Sequence, residues 1–314
     1  MPDHTQLNAL LTAIRAGEKC LPADWSPDFG DLADYGLEES SGHLAFQHGV
    51  GLLNHKLIEA ELADWNVQIL EAIDSTNRLL MSDAHWSAPM LCTAETQLVG
   101  RGRRGRAWIS PYARSISVSL GFELQSPINE LGGLSLLAGL ALIEVLQQMG
   151  LQQAGLKWPN DLHVAGRKLS GILVEIRTPP SVDASGAVDV VIGTGINVQL
   201  TEAEIAAVNQ PVTSLAKCGL EVERSELIVR LAQTTRQFLD HFVASGFAPF
   251  VEAFNQVHVL HNQLCTIHLA NGDVLGKVQG ISDTGNLLVE DSSGNLVQYA
   301  AGEVSLRPAN SPTR

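Results

Sequence analysis

The chain has 314 residues, with 20 Lys and Arg against 34 Asp and Glu for a formal charge of −14. That length supports a large core and two or three domains, while the acidity disfavours a broad surface for polyanions. No apolar run reaches the ~18 residues of a membrane span, no basic-then-apolar leader opens the chain, and Cys20, Cys92, Cys218 and Cys265 lack C-x-x-C spacing, so a cytoplasmic protein with reduced thiols is expected.

In residues 7–14, Leu7, Leu10, Leu11 and Ile14 recur at helical spacing and predict a short amphipathic helix. Pro22, Pro27, Gly30, Gly36 and Gly42 then leave little room for further regular helices. With 3 Lys and Arg against 10 Asp and Glu, residues 1–63 read as a small, irregular, acidic unit. Residues 64–262 read as α/β, with strands at 67–69, 91–94, 116–124, 171–176 and 188–192. The segment 134–149, apolar on most faces, predicts a helix buried against the sheet, and 224–243 predicts a second helix capped by Ser225. Some strands neighbour as hairpins and others through helices, so the fold class is α/β of the α+β type, with a central mixed sheet flanked by helices. In residues 263–314, short apolar runs at 265–269, 274–278, 287–289, 296–299 and 304–306 alternate with Asn271-Gly272, Thr284-Gly285-Asn286 and Ser293-Gly294-Asn295. That spacing predicts a small antiparallel barrel. The 10 His residues show no ligand spacing, so no metal site is expected.

The most informative stretch is Gly100-Arg-Gly-Arg-Arg-Gly-Arg-Ala-Trp108. Arg101, Arg103, Arg104 and Arg106 place four cations in nine positions, on a backbone that glycine allows to approach a ligand closely. Guanidinium forks suit carboxylate and phosphate, and Trp108 offers a face for a base or ring. A solvated basic loop is the plain alternative, and an RNA-binding patch fits poorly in an acidic chain. Gly100-x-Gly102-x-x-Gly105 also satisfies the dinucleotide fingerprint, which requires a helix directly after the glycines. Trp108-Ile109-Ser110-Pro111 follows instead, and 115–124 alternates with a period of two. That predicts a strand, with Ile116, Val118, Leu120 and Phe122 on its buried face.

Three further segments carry chemistry. Asp74-Ser75-Thr76-Asn77 reads either as a helix cap or as hydroxyls and amides for a neutral polar head group. Lys157-Trp158-Pro159-Asn160-Asp161 is a proline-locked turn presenting a cation, an amide and a carboxylate, and Lys168 follows just before the strand at 171–176. Gly193-Thr194-Gly195-Ile196-Asn197 ends another strand with glycines for close backbone approach and an amide suited to an adenine edge. No Walker A loop, kinase signature or nucleophile set occurs. Cations without a nucleophile point to activation of a carboxylate by ATP, with the protein orienting the partners and neutralising charge.

In this order, Ser75-Thr76-Asn77, Ala94-Glu95-x-Gln97 with the 100–108 loop and Ser110-Pro111, Lys157-Trp-Pro-Asn-Asp161, Arg167-Lys168-Leu-x-Gly171-Ile-Leu-x-Glu175 and Gly193-x-Gly195-Ile-Asn197 resemble biotin protein ligases. The resemblance covers about four-fifths of the chain, from residue 64 through a C-terminal SH3-like barrel. It implies that Ser75, Thr76, Asn77 and Gln97 bond the biotin head, with Gly193 beside it. Arg101 and Arg103, with the backbone of Gly100 and Gly102, would hold the biotin carboxylate and the adenylate phosphate, and Lys168 would reach the same oxygens. Trp108 would cover the adenine with Arg106 nearby, and Asn197 would bond its edge. Lys157, Asn160 and Asp161 would line the site near the reacting carbonyl, Asp161 being the candidate to assist proton removal.

The implied reaction uses biotin, ATP and Mg2+, with a lysine of a biotin carboxyl carrier protein or domain as acceptor. A lipoate or octanoyl transferase is the neighbouring enzyme alternative, and a bifunctional ligase and repressor is the DNA-binding one. Some bacterial biotin protein ligases carry an N-terminal winged helix-turn-helix, of which residues 7–14 read as a remnant. Here Arg15, Lys19 and Lys56 stand against ten carboxylates in residues 1–63, so DNA binding is not expected. The sequence leaves a homodimer open.

Overall fold

The computed structural model describes residues 4–83, 87–177, 187–269, 272–301 and 305–308. Helix α1 (His4–Arg15) buries Leu7, Leu11 and Ile14, the stripe its periodicity predicts. Three 3-10 turns follow, at Pro22–Asp24, Pro27–Phe29 and Leu32–Tyr35, where proline fixes φ at the first position of two of them and Gly36 ends the third with φ 64°. A hairpin of β1 (Leu37–Ser40) and β2 (His43–Phe46) comes next, turning through Ser41 and Gly42 at φ 51° and 77°. This hairpin escaped the sequence reading because β1 is Leu-Glu-Glu-Ser, with Leu37 its one buried side chain. Leu7, Leu11, Phe29, Tyr35, Leu37 and Leu44 form a small core that continues into Ala72 and Tyr112 of the neighbouring region.

Helix α2 (His55–Glu61), capped by Asn54, packs with the main core through Leu53, Ile58 and Leu62. Residues 53–62 thus belong by packing with the α/β region, although composition groups them with the acidic N-terminus. The chain then runs through β3 (Asn66–Ile73), α3 (Thr76–Ser82), β4 (Met90–Gln97), β5 (Ser115–Leu124), α4 (Leu134–Gln148), β6 (Gly155–Lys157), β7 (Asp161–Val164), β8 (Arg167–Arg177) and β9 (Val188–Asn197). These strands form one seven-stranded sheet in the order β3-β4-β5-β9-β8-β7-β6, in which only β3 and β4 pair in parallel. The sheet is mixed, as the hairpin-like spacing of its strands requires.

One face of the sheet packs on α4, whose Leu- and Ala-rich sequence is buried on most sides, and on the helix α6 (Arg224–Ser245), reached through α5 (Glu202–Ala207). Ile116, Val118, Leu120 and Phe122 point into this core as expected. The serines between them are buried too, because α3 and its loop cover the other face. Ser225 does not cap α6. Glu223 does so, accepting from the backbone N–H groups of Ser225 at 3.1 Å and Glu226 at 2.7 Å. A longer carboxylate reaches two orphan donors at once, and Ser225 Oγ is left to accept from Asn54 N at 2.8 Å, which ties α2 to α6.

After α7 (Val251–Val257), β10 (Leu264–Leu269), β11 (Gly272–Ile281), β12 (Leu287–Glu290), β13 (Leu296–Tyr299) and β14 (Ser305–Pro308) form a five-stranded antiparallel sheet in the order β13-β12-β11-β10-β14, the antiparallel unit expected from the turn spacing and the counterpart of the SH3-like barrel that the resemblance implies. Asn271 and Val304, named in that expectation, lie outside the described residues. Cys265, Ile267, Val278, Leu287 and Val289 join the core of the α/β region, and Trp158 Nε1 donates to Gly285 O at 3.1 Å across the junction. No described helix is long and apolar enough to cross a membrane.

At the same junction His258 is 5% exposed against Phe254, and neither ring nitrogen has a hydrogen-bond partner among the described residues. Burial, with His261 adding to it, lowers its pKa to about 3 from 6.5. Between those values the unfolded chain binds a proton that the folded chain refuses, so stability falls as pH drops below 6.5. Urea denaturation at pH 7 and pH 5 should show a loss in the wild type that exceeds the loss in His258→Leu by roughly 2 kcal/mol.

Candidate active site

One cavity of about 170 Å³ opens where the C-terminal end of β4, the N-terminus of α3, the 98–108 loop and the middle of β8 and β9 meet. Ser75, Thr76, Asn77, Gln97, Arg101, Gly102, Arg103, Arg106, Trp108, Lys157, Asn160, Asp161, Lys168 and Gly193 all line it. These are fourteen of the sixteen site positions expected from the sequence, gathered from across more than a hundred residues.

The end of the cavity nearest α3 is polar and uncharged. Ser75 is the N-cap of α3, with its side chain accepting from Arg78 N at 3.4 Å, and it also faces the cavity. The cap reading of this segment holds, and the capping residue lies at the cavity wall. Thr76 N donates to Gln97 Oε1 at 2.8 Å, Thr76 Oγ1 lies 3.1 Å from the same oxygen, and Gln97 Nε2 donates to Ser117 Oγ at 3.2 Å. Asn77 lies over Gly193, where a Cβ would come within 2.1 Å of Asn77 Oδ1.

The arginine loop is a miniature hairpin. Gly102 N donates to Arg106 O at 2.7 Å and Trp108 N to Gly100 O at 2.9 Å, while Arg104 and Gly105 turn the chain at φ 57° and 72°. No helix follows the glycines, which agrees with setting aside the dinucleotide fingerprint. Arg103 Nη1 donates to Asn160 Oδ1 at 3.3 Å, and its Nη2 reaches Ala301 O in the C-terminal sheet. Burial first, then the charge of Arg104, pulls the Arg103 guanidinium below its usual pKa. A cation disfavoured in this way gains from the arrival of an anion.

Opposite the loop, Lys168 Nζ pairs with Asp161 Oδ1 at 2.7 Å and sits 5.8 Å from the centroid of the Trp108 ring. A bulge at Leu162/His163 in the pairing of β7 with β8 lies beside Lys168. Gly171 and Gly195 are cross-strand partners on β8 and β9. A Cβ on Gly195 would fall 2.4 Å from the Trp108 indole, and one on Gly171 3.1 Å from Lys168 Nζ. The space that glycine frees on β9 thus takes the chain's own Trp108 and Asn77 side chains, rather than a ligand lying against the backbone.

Two expected residues are not brought to the cavity. Asn197 is 5% exposed, and its Nδ2 donates to Thr213 O at 2.9 Å, fixing the 211–215 segment to β9. Asn197 is not among the residues that line the cavity. Gly100 closes the loop instead of lining it, since a Cβ there would stand 2.5 Å from Trp108 O. Conversely, Ser117, Val118, Gln210 and Leu306 line the cavity from outside the motifs singled out in the sequence. The serines were legible, because the period-two pattern of 115–124 sets Ser115, Ser117 and Ser119 on one face. Gln210 and Leu306 carried no local signal.

Comparison with known proteins gives the family of the chain. The biotin/lipoate A/B protein ligase family model matches residues 69–197, and the biotin protein ligase C terminal domain model matches residues 260–307. The chain is 35% identical over 261 residues to the bifunctional ligase/repressor BirA of Escherichia coli strain K12, covering 83% of this chain and 80% of that protein. It is 30% identical over 262 residues to the biotin–[acetyl-CoA-carboxylase] ligase of Mycobacterium tuberculosis, covering 80% and 93%. A solved biotin protein ligase from Aquifex aeolicus in complex with biotin and ATP superposes with a TM-score of 0.66 at 26% identity, over 78% of this chain and 99% of that one. The chain belongs to the biotin/lipoate A/B protein ligase family, and within it to the biotin protein ligases.

Gly195→Val tests the seating of Trp108. The added side chain must displace the indole, and calorimetry should show ATP affinity reduced at least about tenfold, the scale of overpacking a tight contact, with the circular dichroism spectrum unchanged.

Proposed function

We propose that this chain activates biotin with ATP and passes it to a lysine of a carrier domain, both steps occurring at the one cavity. The supporting observation is the pairing, in a single cavity, of an uncharged hydrogen-bonding end at Ser75, Thr76, Asn77 and Gln97 with a cationic end at Arg101, Arg103, Arg106 and Lys168. A neutral bicyclic head with a carboxylate tail matches that polarity.

In the first step a biotin carboxylate oxygen bonds to the α-phosphorus of ATP, and the bond to the bridging oxygen of the β-phosphate breaks. The products are biotinyl-5′-AMP and pyrophosphate, and magnesium arrives as part of the nucleotide substrate. Two anions must approach each other, so donors aimed at the developing charge are each worth roughly 3 kcal/mol. Arg101, Arg103 and Lys168 are the donors in this reading, and Trp108 covers the adenine. In the second step the uncharged amine of the acceptor lysine attacks the acyl carbon, AMP leaves, and the amine gives up a proton. A lysine with an ordinary pKa of about 10.4 needs help in losing it. Asp161 becomes available for that role once ligand oxygens compete for its partner, Lys168.

Calorimetry with biotin, lipoate and octanoate, each with and without ATP, tests the substrate. Biotin should bind, and absence of biotin binding under both conditions removes the reading in favour of the lipoate or octanoyl alternatives. Lys168→Ala should cut the rate of biotinyl-AMP formation by about a hundredfold or more, while the melting temperature stays near that of the wild type.

The same reading makes the chain a ligase without repressor activity. Between α1 and the β1-β2 hairpin the described chain forms 3-10 turns, with no α-helix that could lie in a DNA groove. The ten carboxylates of residues 1–63 repel a duplex. A mobility-shift assay at low salt, with the promoter of the biotin-synthesis genes and saturating biotin and ATP, should show no sequence-specific retention.

A further inference from the structure

Glu175 belongs to β8 but is not among the residues lining the cavity. Its Oε2 accepts from Asn77 Nδ2 at 2.8 Å, and Leu173 O accepts from the same nitrogen at 3.2 Å. Both hydrogens of the Asn77 amide are thereby committed to β8, so the direction of the amide is set and Oδ1 is the atom turned to β5. The side chain occupies the space above Gly193, which pairs with Ser119 on one side and Leu173 on the other.

That direction governs the hydroxyls beyond it. Ser119 Oγ stands 2.6 Å from Asn77 Oδ1 and 2.7 Å from Thr76 Oγ1, with one hydrogen for the two contacts. A carbonyl oxygen only accepts, so the Ser119 hydrogen goes to Asn77. The Thr76 hydroxyl hydrogen then fills the contact to Ser119. The 3.1 Å approach of Thr76 Oγ1 to Gln97 Oε1 is left without a hydrogen, and both oxygens keep lone pairs at the uncharged end of the cavity. With the amide reversed, Ser119 would donate to Thr76 and Thr76 to Gln97, and that acceptor capacity would be consumed internally.

We propose that Glu175 is a positioning residue which, by fixing the direction of the Asn77 amide, orders the protons of Ser119 and Thr76 so that the cavity offers acceptors to the N–H groups of the biotin ureido ring. This rests on the biotin reading of the site and assigns its head-group selectivity to a residue outside the cavity.

Full-length wild type, Glu175→Gln, Glu175→Leu, Asn77→Asp and the double variant Asn77→Asp/Glu175→Gln are compared by calorimetry with biotin and with ATP, by steady-state kinetics and by thermal melting. Glu175→Gln keeps an acceptor and should bind biotin within about threefold of wild type, because one well-placed oxygen suffices for the contact. Glu175→Leu should raise the Kd and KM for biotin about tenfold to a hundredfold, the scale of one or two misdirected hydrogen bonds. Its ATP affinity, and its kcat at saturating biotin, should be unchanged. Asn77→Asp sets two carboxylates against each other and should lose biotin similarly. In the double variant the amide introduced on β8 donates to the carboxylate introduced on α3, whose second oxygen still accepts from Ser119, while Leu173 O loses its donor, so biotin affinity should recover part of that loss. The proposal is overturned if Glu175→Leu binds biotin as the wild type does, if Glu175→Gln is as weak as Glu175→Leu, or if the double variant is no better than Asn77→Asp. Should Glu175→Leu fail to fold, the comparison of Glu175→Gln with wild type and of the double variant with Asn77→Asp decides. A wild type that binds ATP but no biotin instead overturns the functional reading itself, and the proposal with it.

Discussion

A single buried carboxylate holds the parts of this molecule in register. Glu95, on β4, is wholly inaccessible, and its oxygens accept from Leu53 N at 2.6 Å, from Arg15 on α1 at 2.5 Å and from Arg224 on α6 at 2.5 Å. Arg15 also pairs with Glu71 on β3, whose other partner is the Tyr112 hydroxyl, and Arg224 donates to Ser115 O and Gly51 O. Charges this deep are tolerated only when each is matched, and removing one partner leaves the rest exposed to the full cost of desolvation. The acidic N-terminal unit, the 51–53 segment, the sheet and α6 therefore meet around one carboxylate. Two residues further along the same strand, Gln97 enters the cavity and the arginine loop begins.

The small core of the N-terminal unit is completed by this attachment. Asn8 Oδ1 accepts from the backbone N–H groups of Glu71 and Ala72 at 2.8 and 3.1 Å, which covers the open edge of β3. An edge strand left uncovered is a template for unwanted pairing. Of the three cations of the unit, Arg15 is spent internally on Glu71 and Glu95, while Lys19 and Lys56 are exposed.

Within the cavity, size and charge are both balanced by near neighbours. Gly193 and Gly195 on β9 accept an amide and a tryptophan that no larger residue would admit, and Gly171 on β8 lies close under the tip of Lys168. Lys168 is held by Asp161, and Arg103 by Asn160 and Ala301 O, so each of these cations has an oxygen partner in the ligand-free chain. In the proposed reading, a carboxylate or phosphate in the cavity would exchange with those partners and meet donors already in place, which would limit the reorganisation that charge development demands.

Local sequence patterns were enough to define the class of the fold, the strand at 115–124, the buried helix α4, the antiparallel C-terminal unit and most of the cavity residues. The fold elements rest on periodicity and on turn residues at regular intervals, and the cavity residues on five short motifs together with the family resemblance those motifs carry. The remainder came from packing between distant segments. The β1-β2 hairpin has one buried side chain on its first strand and so no readable alternation there. Glu223 displaced Ser225 as the cap of α6 because a carboxylate could reach two backbone donors. Asn197 left the site because the 211–215 segment supplied a carbonyl for its amide, while Gln210 and Leu306 entered it from far along the chain. Glu175 gained a role because the register of β8, β9 and β5 sets Leu173, Gly193 and Ser119 side by side beneath Asn77. Such partners are fixed by register between strands distant in sequence, and a short segment read alone holds no information about what will lie across from it.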